Sequence, residues 1–333
     1  MAKYNVYGIG NALLDIEFKV TPDLLTNLGI DKGVMTLIEA DRQQQLINDL
    51  GDYMGKKSGG GSAANTMFAI SQFGGKCFYS CKVANDAMGE SYLQDLVDSG
   101  IETNLQHQKR EPGITGQCLV FVTPDADRTM NTHLGISAQF SEKELVESAI
   151  EDAEYLYMEG YLVTDPTSKA AAIKAREIAQ KAGNKVALSL SDLNMAKFFK
   201  QGFLEMIGEG IDLIFANETE ALTMGETEDL AQACDYLKTL SKGFVITRGA
   251  KGALAYDGEN LIEIAPNSVK AVDTVGAGDM FAGAFLYGVT HGMSYADAGK
   301  LASAASARLV TSYGPRLEPQ EAKECDSFLM KSL

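Results

Sequence analysis

The stretch Ser141–Leu162, SEKELVESAIEDAEYLYMEGYL, changes character halfway along. Its first part, SEKELVESAIEDA, carries a helical pattern. Its second part, YLYMEGYL, has the apolar density and length of a strand. The same alternation then runs toward the C-terminus. A helix over 167–182 leads to strand KVALSL, and IDLIFAN is another strand. A helix over 227–241 precedes strand GFVITRG, two short strands flank AYDGEN, and helices cover 279–290 and 294–310. Such alternation predicts an α/β fold with a mostly parallel central sheet and helices on both faces.

Toward the N-terminus the rhythm is different. YNVYGIG is a strand entering a glycine turn, and DIEFKV and GVMTLIEA are extended. Helical patterns cover 41–50 and 62–73, KCFYSCKV is a strand, and DAMGESYLQDLVDSG is a helix closed by glycine. GQCLVFVTPDADRTMNTHLG has two alternating runs about PDAD, the signature of a hairpin. The extended segments at about 15–39 and 107–135 lie outside the alternation and predict a small separate sheet, a lid over a cleft.

Composition narrows the function. The chain has 333 residues, 45% hydrophobic and 22% charged, with a net charge of −16. That balance opposes nucleic-acid backbones and anionic membrane surfaces as partners. An anionic small substrate stays open, because a local pocket or metal ion can reverse the field. The five cysteines (Cys77, Cys81, Cys118, Cys234, Cys325) form no zinc or disulfide pattern and fit a reducing cytoplasm. No apolar run reaches the ~18 residues of a membrane span, and MAKYNVYGIGN has no signal-peptide core. His107, His133 and His291 sit in no metal or triad spacing, and neither a P-loop nor a G-x-S-x-G elbow is present.

Four stretches carry candidate chemistry. GIGNAL (Gly8–Leu13) lacks the third glycine of the dinucleotide fingerprint, but it places Asn11 and Asp15 just past a strand end. Asp15 could accept bonds from two sugar hydroxyls; a turn aspartate has the same spacing. In DTVGAGDMFAGAF (Asp273–Phe285) the backbone N–H groups of Gly276, Ala277 and Gly278 would meet a phosphoryl group at a helix start. Asp279 beside them repels phosphate unless it takes a proton from the attacking hydroxyl; a first-turn cap is the plainer role. In NETEA, Asn217 and Glu220 could hold phosphate or metal-bound water, or form a helix cap. In ITRGAKGA, Thr247, Gly249 and Gly252 suggest a turn close to a ligand, or a hairpin turn alone.

These stretches, in this order, resemble the ribokinase-like (PfkB) carbohydrate and nucleoside kinases over essentially the whole chain. DTVGAGDMFAGAFL is similar to their C-terminal signature, and GGSAAN (Gly60–Asn65) to their N-terminal substrate loop. GNALLDI, TGQC (Thr115–Cys118), NETEA and ITRGAKG take their expected places around them. Within the family the chain is most similar to adenosine kinases, since Ser62 stands where ribokinases carry lysine and Tyr161 where an aromatic ring covers a purine. Glu159 departs toward the acidic residue of a sugar pocket, which keeps a fructokinase or ribokinase type open; a nucleoside-binding module without catalysis is the non-enzyme alternative.

The resemblance implies one ribokinase-like three-layer αβα sandwich over 1–333 with a small β lid. It implies γ-phosphoryl transfer from ATP to a primary sugar hydroxyl. Asp279 would act as base, the 276–278 amides as the anion hole, and Arg128 as a lid residue over the phosphate. Asn11, Asp15, Gly60, Gly61, Ser62 and Asn65 would hold the substrate. Asn217 and Glu220 would hold Mg2+ through water, and Asp273 with Val275 a monovalent cation, K+. The expected partners are a nucleoside or sugar and ATP, on a monomer or homodimer.

Overall fold

The alternation builds a nine-stranded sheet in the order β14-β13-β12-β11-β10-β9-β1-β5-β6. Its strands are β1 Tyr4–Ile9, β5 Cys77–Ser80, β6 Glu102–Thr103, β9 Ala153–Met158, β10 Lys185–Ser189, β11 Ile211–Asn217, β12 Ser241–Thr247, β13 Ala253–Tyr256 and β14 Leu261–Ile264. From β6 to β12 every pairing is parallel; β13 and β14 continue it antiparallel. This computed structural model describes residues 2–33, 35–125, 128–318, 320–322 and 324, with the backbone alone at Asp52, Met54, Lys56 and Arg128. Cys325 therefore lies outside the described residues.

Successive residues of a strand point to opposite faces, and here both faces are buried. Tyr155 and Tyr157 join one core with helices α3 (Ser62–Gln72), α4 (Ala87–Asp98), α11 (Ala277–Thr290) and α12 (Tyr295–Leu309). Leu156 and Met158 join the other, with α5 (Glu147–Glu151), α6 (Pro166–Ala182), α7 (Leu193–Phe198), α8 (Lys200–Ile207), α9 (Glu218–Gly225) and α10 (Leu230–Lys238). Each such side chain contributes roughly 1.5–3 kcal/mol by leaving water. Local chemistry sets the helix ends. Asp165 caps α6 by accepting from Thr167 N at 2.8 Å, Pro166 opens it, and Gly183 closes it at φ 81°.

The structure corrects several boundaries. The helix expected over 141–153 is broken into a 3-10 turn at Glu142–Glu144 and the short α5. Ser141 and Glu144 close a capping box, and buried Glu144 pairs with buried Lys82 at 3.0 Å. A paired buried charge outweighs helical periodicity, because breaking that pair would strand a charge in the core. The strand YLYMEGYL stops at Met158, and a 3-10 turn follows at Gly160–Thr164. The helix expected over 227–241 starts at Leu230, because the Asp229 side chain accepts from Ala231 N at 2.8 Å.

The second sheet has the order β3-β8-β7-β2-β4, with β2 Leu13–Lys19, β3 Met35–Leu37, β4 Met54–Gly60, β7 Gln117–Val122 and β8 Arg128–His133. The expected hairpin is β7–β8, in which Cys118 faces Thr132 and Val122 faces Arg128. The lid differs from the expected segments in two ways. Residues 107–116 supply no strand, and MGKKSGG, which has no apolar alternation, supplies β4. Helices α1 (Pro22–Asn27) and α2 (Ala40–Asp49) cover the face that carries Ile16, Phe18, Leu119 and Phe121. No helix among the described residues is long and apolar enough to cross a membrane.

Helices α3 and α11 pack against each other at backbone distance. A methyl group on Gly283 would lie 2.7 Å from the carbonyl oxygen of Thr66. Gly283→Ala is therefore expected to cost about 1–3 kcal/mol by overpacking. Gly51→Ala, where nothing lies within 4 Å of the added carbon, should stay within about 0.5 kcal/mol. Urea unfolding of the two variants measures the difference.

Candidate active site

A cavity of about 420 Å³ opens at the C-terminal ends of the parallel strands, within the usual ~300–1,000 Å³ of small-molecule sites. The sheet order reverses between β1 and β9, since the chain continues from β1 outward to β5 and from β9 outward to β10. Open α/β sheets bind ligands at such a switch point, because diverging connections leave a crevice there. Asn11 follows β1, and Glu159 and Tyr161 follow β9; all three line the cavity.

Two helix starts meet on its floor. Gly276 caps α11 at φ 74°, and a methyl group there would lie 2.8 Å from Pro315 Cα, so glycine is required on two counts. Gly61 caps α3 at φ 100°. Asp279, in the first turn of α11, is partly buried. Its Oδ1 accepts from Ser62 Oγ at 2.6 Å and its Oδ2 from Asn65 Nδ2 at 3.1 Å. Burial pushes the Asp279 carboxyl up to about 6, while the bonds from Ser62 and Asn65 pull it back. At neutral pH it is an ionised, oriented carboxylate at the positive ends of two helices.

Two buried carboxylates share the cavity with Asp15 and Asp279. Glu159 is 1% exposed and serves the backbone, accepting from Ala63 N at 2.8 Å and Asn11 N at 3.2 Å. Burial raises it to about 7, partly offset by those two bonds. Glu220 closes a capping box with Asn217, whose Nδ2 donates to Oε1 at 2.7 Å and whose Oδ1 accepts from Glu220 N at 2.8 Å. Burial raises Glu220 to about 7 as well. Among the described residues no three His, Cys, Asp or Glu side chains converge on a metal-sized site. Magnesium fits here only through water, which it retains readily.

The remaining candidates divide. Asp15, Gly61, Thr247, Val275, Gly276 and Gly278 line the cavity. Gly60 instead ends β4 against the Asp15 carboxylate. The Ala277 N–H donates to the Thr274 carbonyl at 3.2 Å, so of the three expected amides that of Ala277 is already bonded, while Gly276 and Gly278 line the cavity. Gly249 (φ 54°) and Gly252 (φ 86°) shape the turn from β12 to β13, away from the cavity. Asp273 braces its loop, accepting from Val275 N at 3.1 Å and Gly314 N at 2.7 Å. Arg128 is the first residue of β8; its side chain lies outside the described residues.

Sequence reasoning missed the cavity's roof. Met35, Leu37, Cys118, Met130 and Leu134 line it from the lid side, opposite the polar floor. The hairpin alternation could have placed Cys118 and Thr132 on one face, but not which face looks inward. Ser191 was missed too. It lines the cavity at φ 66°, a conformation rare for a non-glycine residue, and its Oγ accepts from Gly160 N at 2.9 Å.

Comparison with known proteins agrees with this geometry. The model of the pfkB family carbohydrate kinases matches residues 35–322. An adenosine kinase structure from Sinorhizobium meliloti superposes with a TM-score of 0.90 at 34% identity, covering 98% of this chain and 100% of that one. A probable sugar kinase from Rhizobium etli gives 0.91 at 31%, covering 98% and 99%. The 5-dehydro-2-deoxygluconokinase of Clostridium beijerinckii is 28% identical over 272 residues, 78% of this chain and 80% of its own length. A doubly covered sheet, a lid, and a carboxylate at the start of α11 thus converge on one conclusion: the chain belongs to the pfkB family of carbohydrate kinases and is a phosphotransferase.

Proposed function

We propose that the chain transfers the γ-phosphoryl group of ATP to the 5′-hydroxyl of a purine nucleoside, adenosine first among them, giving AMP and ADP. The observation that carries this reading is the Asp279 carboxylate, held by Ser62 and Asn65 beneath an apolar lid wall. The acceptor hydroxyl gives its proton to Asp279 as its oxygen bonds to the γ-phosphorus, and the bond to the β-phosphate oxygen breaks. The α11 N-terminus, with the Gly276 and Gly278 amides, faces the charge that develops. Mg2+, when bound with ATP, neutralises phosphate charge near Asn217 and Glu220.

The lid wall supports a nucleoside over a free sugar. A sugar presents hydroxyls on every side, and each one buried against Met35, Leu37, Met130 or Leu134 would lose a hydrogen bond. A flat base gains by the same burial. Glu159, the residue favouring a sugar pocket, spends both oxygens on backbone donors. Phosphorylation assays against adenosine, inosine, ribose and fructose separate the readings. Turnover is expected with the nucleosides, and turnover confined to a free sugar would overturn the substrate assignment.

Asp279→Asn should lower kcat by about 10²–10⁴, the usual worth of a general base, with nucleoside affinity by calorimetry changed little. Near-normal turnover would refute the base assignment.

The pH dependence has a fixed sign. A base works ionised, so kcat/KM should fall as pH drops through about 6. Ser62→Ala removes a bond that favours the carboxylate, so the acid limb should move to higher pH. A limb that stays in place or moves lower contradicts the role given to Ser62.

A further inference from the structure

A single segment touches both helices that carry Ser62, Asn65 and Asp279. Pro315 packs against Gly276, the cap of α11. The next residue, Arg316, reaches the other way. Its guanidinium carbon lies over the Phe68 ring of α3, 3.2 Å from the ring centre. Its Nη1 donates to Asp95 Oδ2 of α4 at 2.8 Å, and its Nη2 donates to the carbonyl oxygen of Gly59. The adjoining carbonyl, of Gly60, accepts from Tyr92 Oη at 2.9 Å. Gln72 Nε2, at the end of α3, donates to the Leu317 carbonyl.

Gly59 and Gly60 end lid strand β4, and after them only Gly61 separates the lid from Ser62. We propose that Arg316 is a positioning residue for phosphoryl transfer: it fixes the joint between lid strand and α3, so that Ser62 and Asn65 meet the Asp279 carboxylate carried by α11. Pro315 and Arg316 hold the two halves of the base site from adjacent positions in the chain. The planar fork of arginine suits this place, since it stacks on Phe68 while donating in two directions. Lysine can supply one charge but neither the stack nor the fork. Arg316 itself does not line the catalytic cavity.

The proposal rests on Asp279 as the base, so its test needs a readout that is independent of turnover. Hydrogen exchange on the full-length Arg316→Gln variant supplies it. Exchange is expected to quicken at residues 59–66 and at 276–280, and to stay unchanged in α6. In parallel, kcat should drop about 10- to 100-fold, the size of effect a small misplacement of reacting groups produces. The acid limb of kcat/KM should move upward, and Arg316→Lys should recover only part of the loss. Unchanged exchange at both segments overturns the proposal whatever the activity. Quickened exchange with kcat within twofold of wild type overturns it too, since the joint would then be structural alone. If the Gln variant does not fold, the Lys variant carries the same test. Inactivity of the wild-type chain toward every acceptor would sink the functional reading while leaving the exchange result decisive for Arg316.

Discussion

The structure depends on how closely α3 can approach α11. Their first turns must come near enough for Ser62 and Asn65 to reach Asp279, and the contact at Gly283 and Thr66 sets that separation. Gly283 stands one turn after Asp279 in α11 because a larger side chain there would meet Ala69 and Thr66 of α3 and wedge the helices apart. The sheet beneath supplies a rigid floor, buried on both faces. Gly61 and Gly276, both at positive φ, then turn the chain sharply enough to put both helix starts over the switch point. Packing and chemistry are one constraint here: the glycine that lets the helices touch also brings hydrogen bonds to the carboxylate.

Four carboxylates line the cavity of a protein already at −16, and three of them, Asp279, Glu159 and Glu220, are pushed up by burial. Each is handled differently. Asp279 is stabilised by side-chain donors, Glu159 by the α3 backbone, and Glu220 by its own helix cap. Because burial raises all three, the cavity carries less negative charge than its composition suggests. An anionic substrate therefore meets helix N-termini and partly neutralised acids, rather than the net charge of the whole chain.

Much of this was legible in the sequence, for identifiable reasons. The central sheet announced itself because its strands are short apolar runs between helices, and Asp279 because glycines mark its helix start; Ser62 and Asn65, expected to hold the substrate, are bonded to Asp279 instead. What escaped was set by tertiary contacts. MGKKSGG has no strand signal; it becomes β4 because β2 offers an edge to pair with. The helix over 141–153 failed because Glu144 turned inward to meet Lys82, a partner 62 residues away in the chain. The stretch SGGGSAANT has the composition of a tether, yet it joins a strand to a helix, with its glycine carbonyls tied to Tyr92 and Arg316.

The central position of β1 also bears on how the chain must fold. Strand β1 leaves the ribosome before both of its partners, and one of its edges can pair with β5 once residues 77–80 follow. Its other edge waits for β9, since Tyr4 pairs with Ala153 and Ile9 with Met158. Pairings so distant in sequence close slowly. Until residues 153–158 are made, an apolar strand destined for the middle of the sheet stands with one side unpaired, a state open to misassembly. The same placement that sets Asn11 in the cavity makes a strand synthesised before its partners one of the last to be completed.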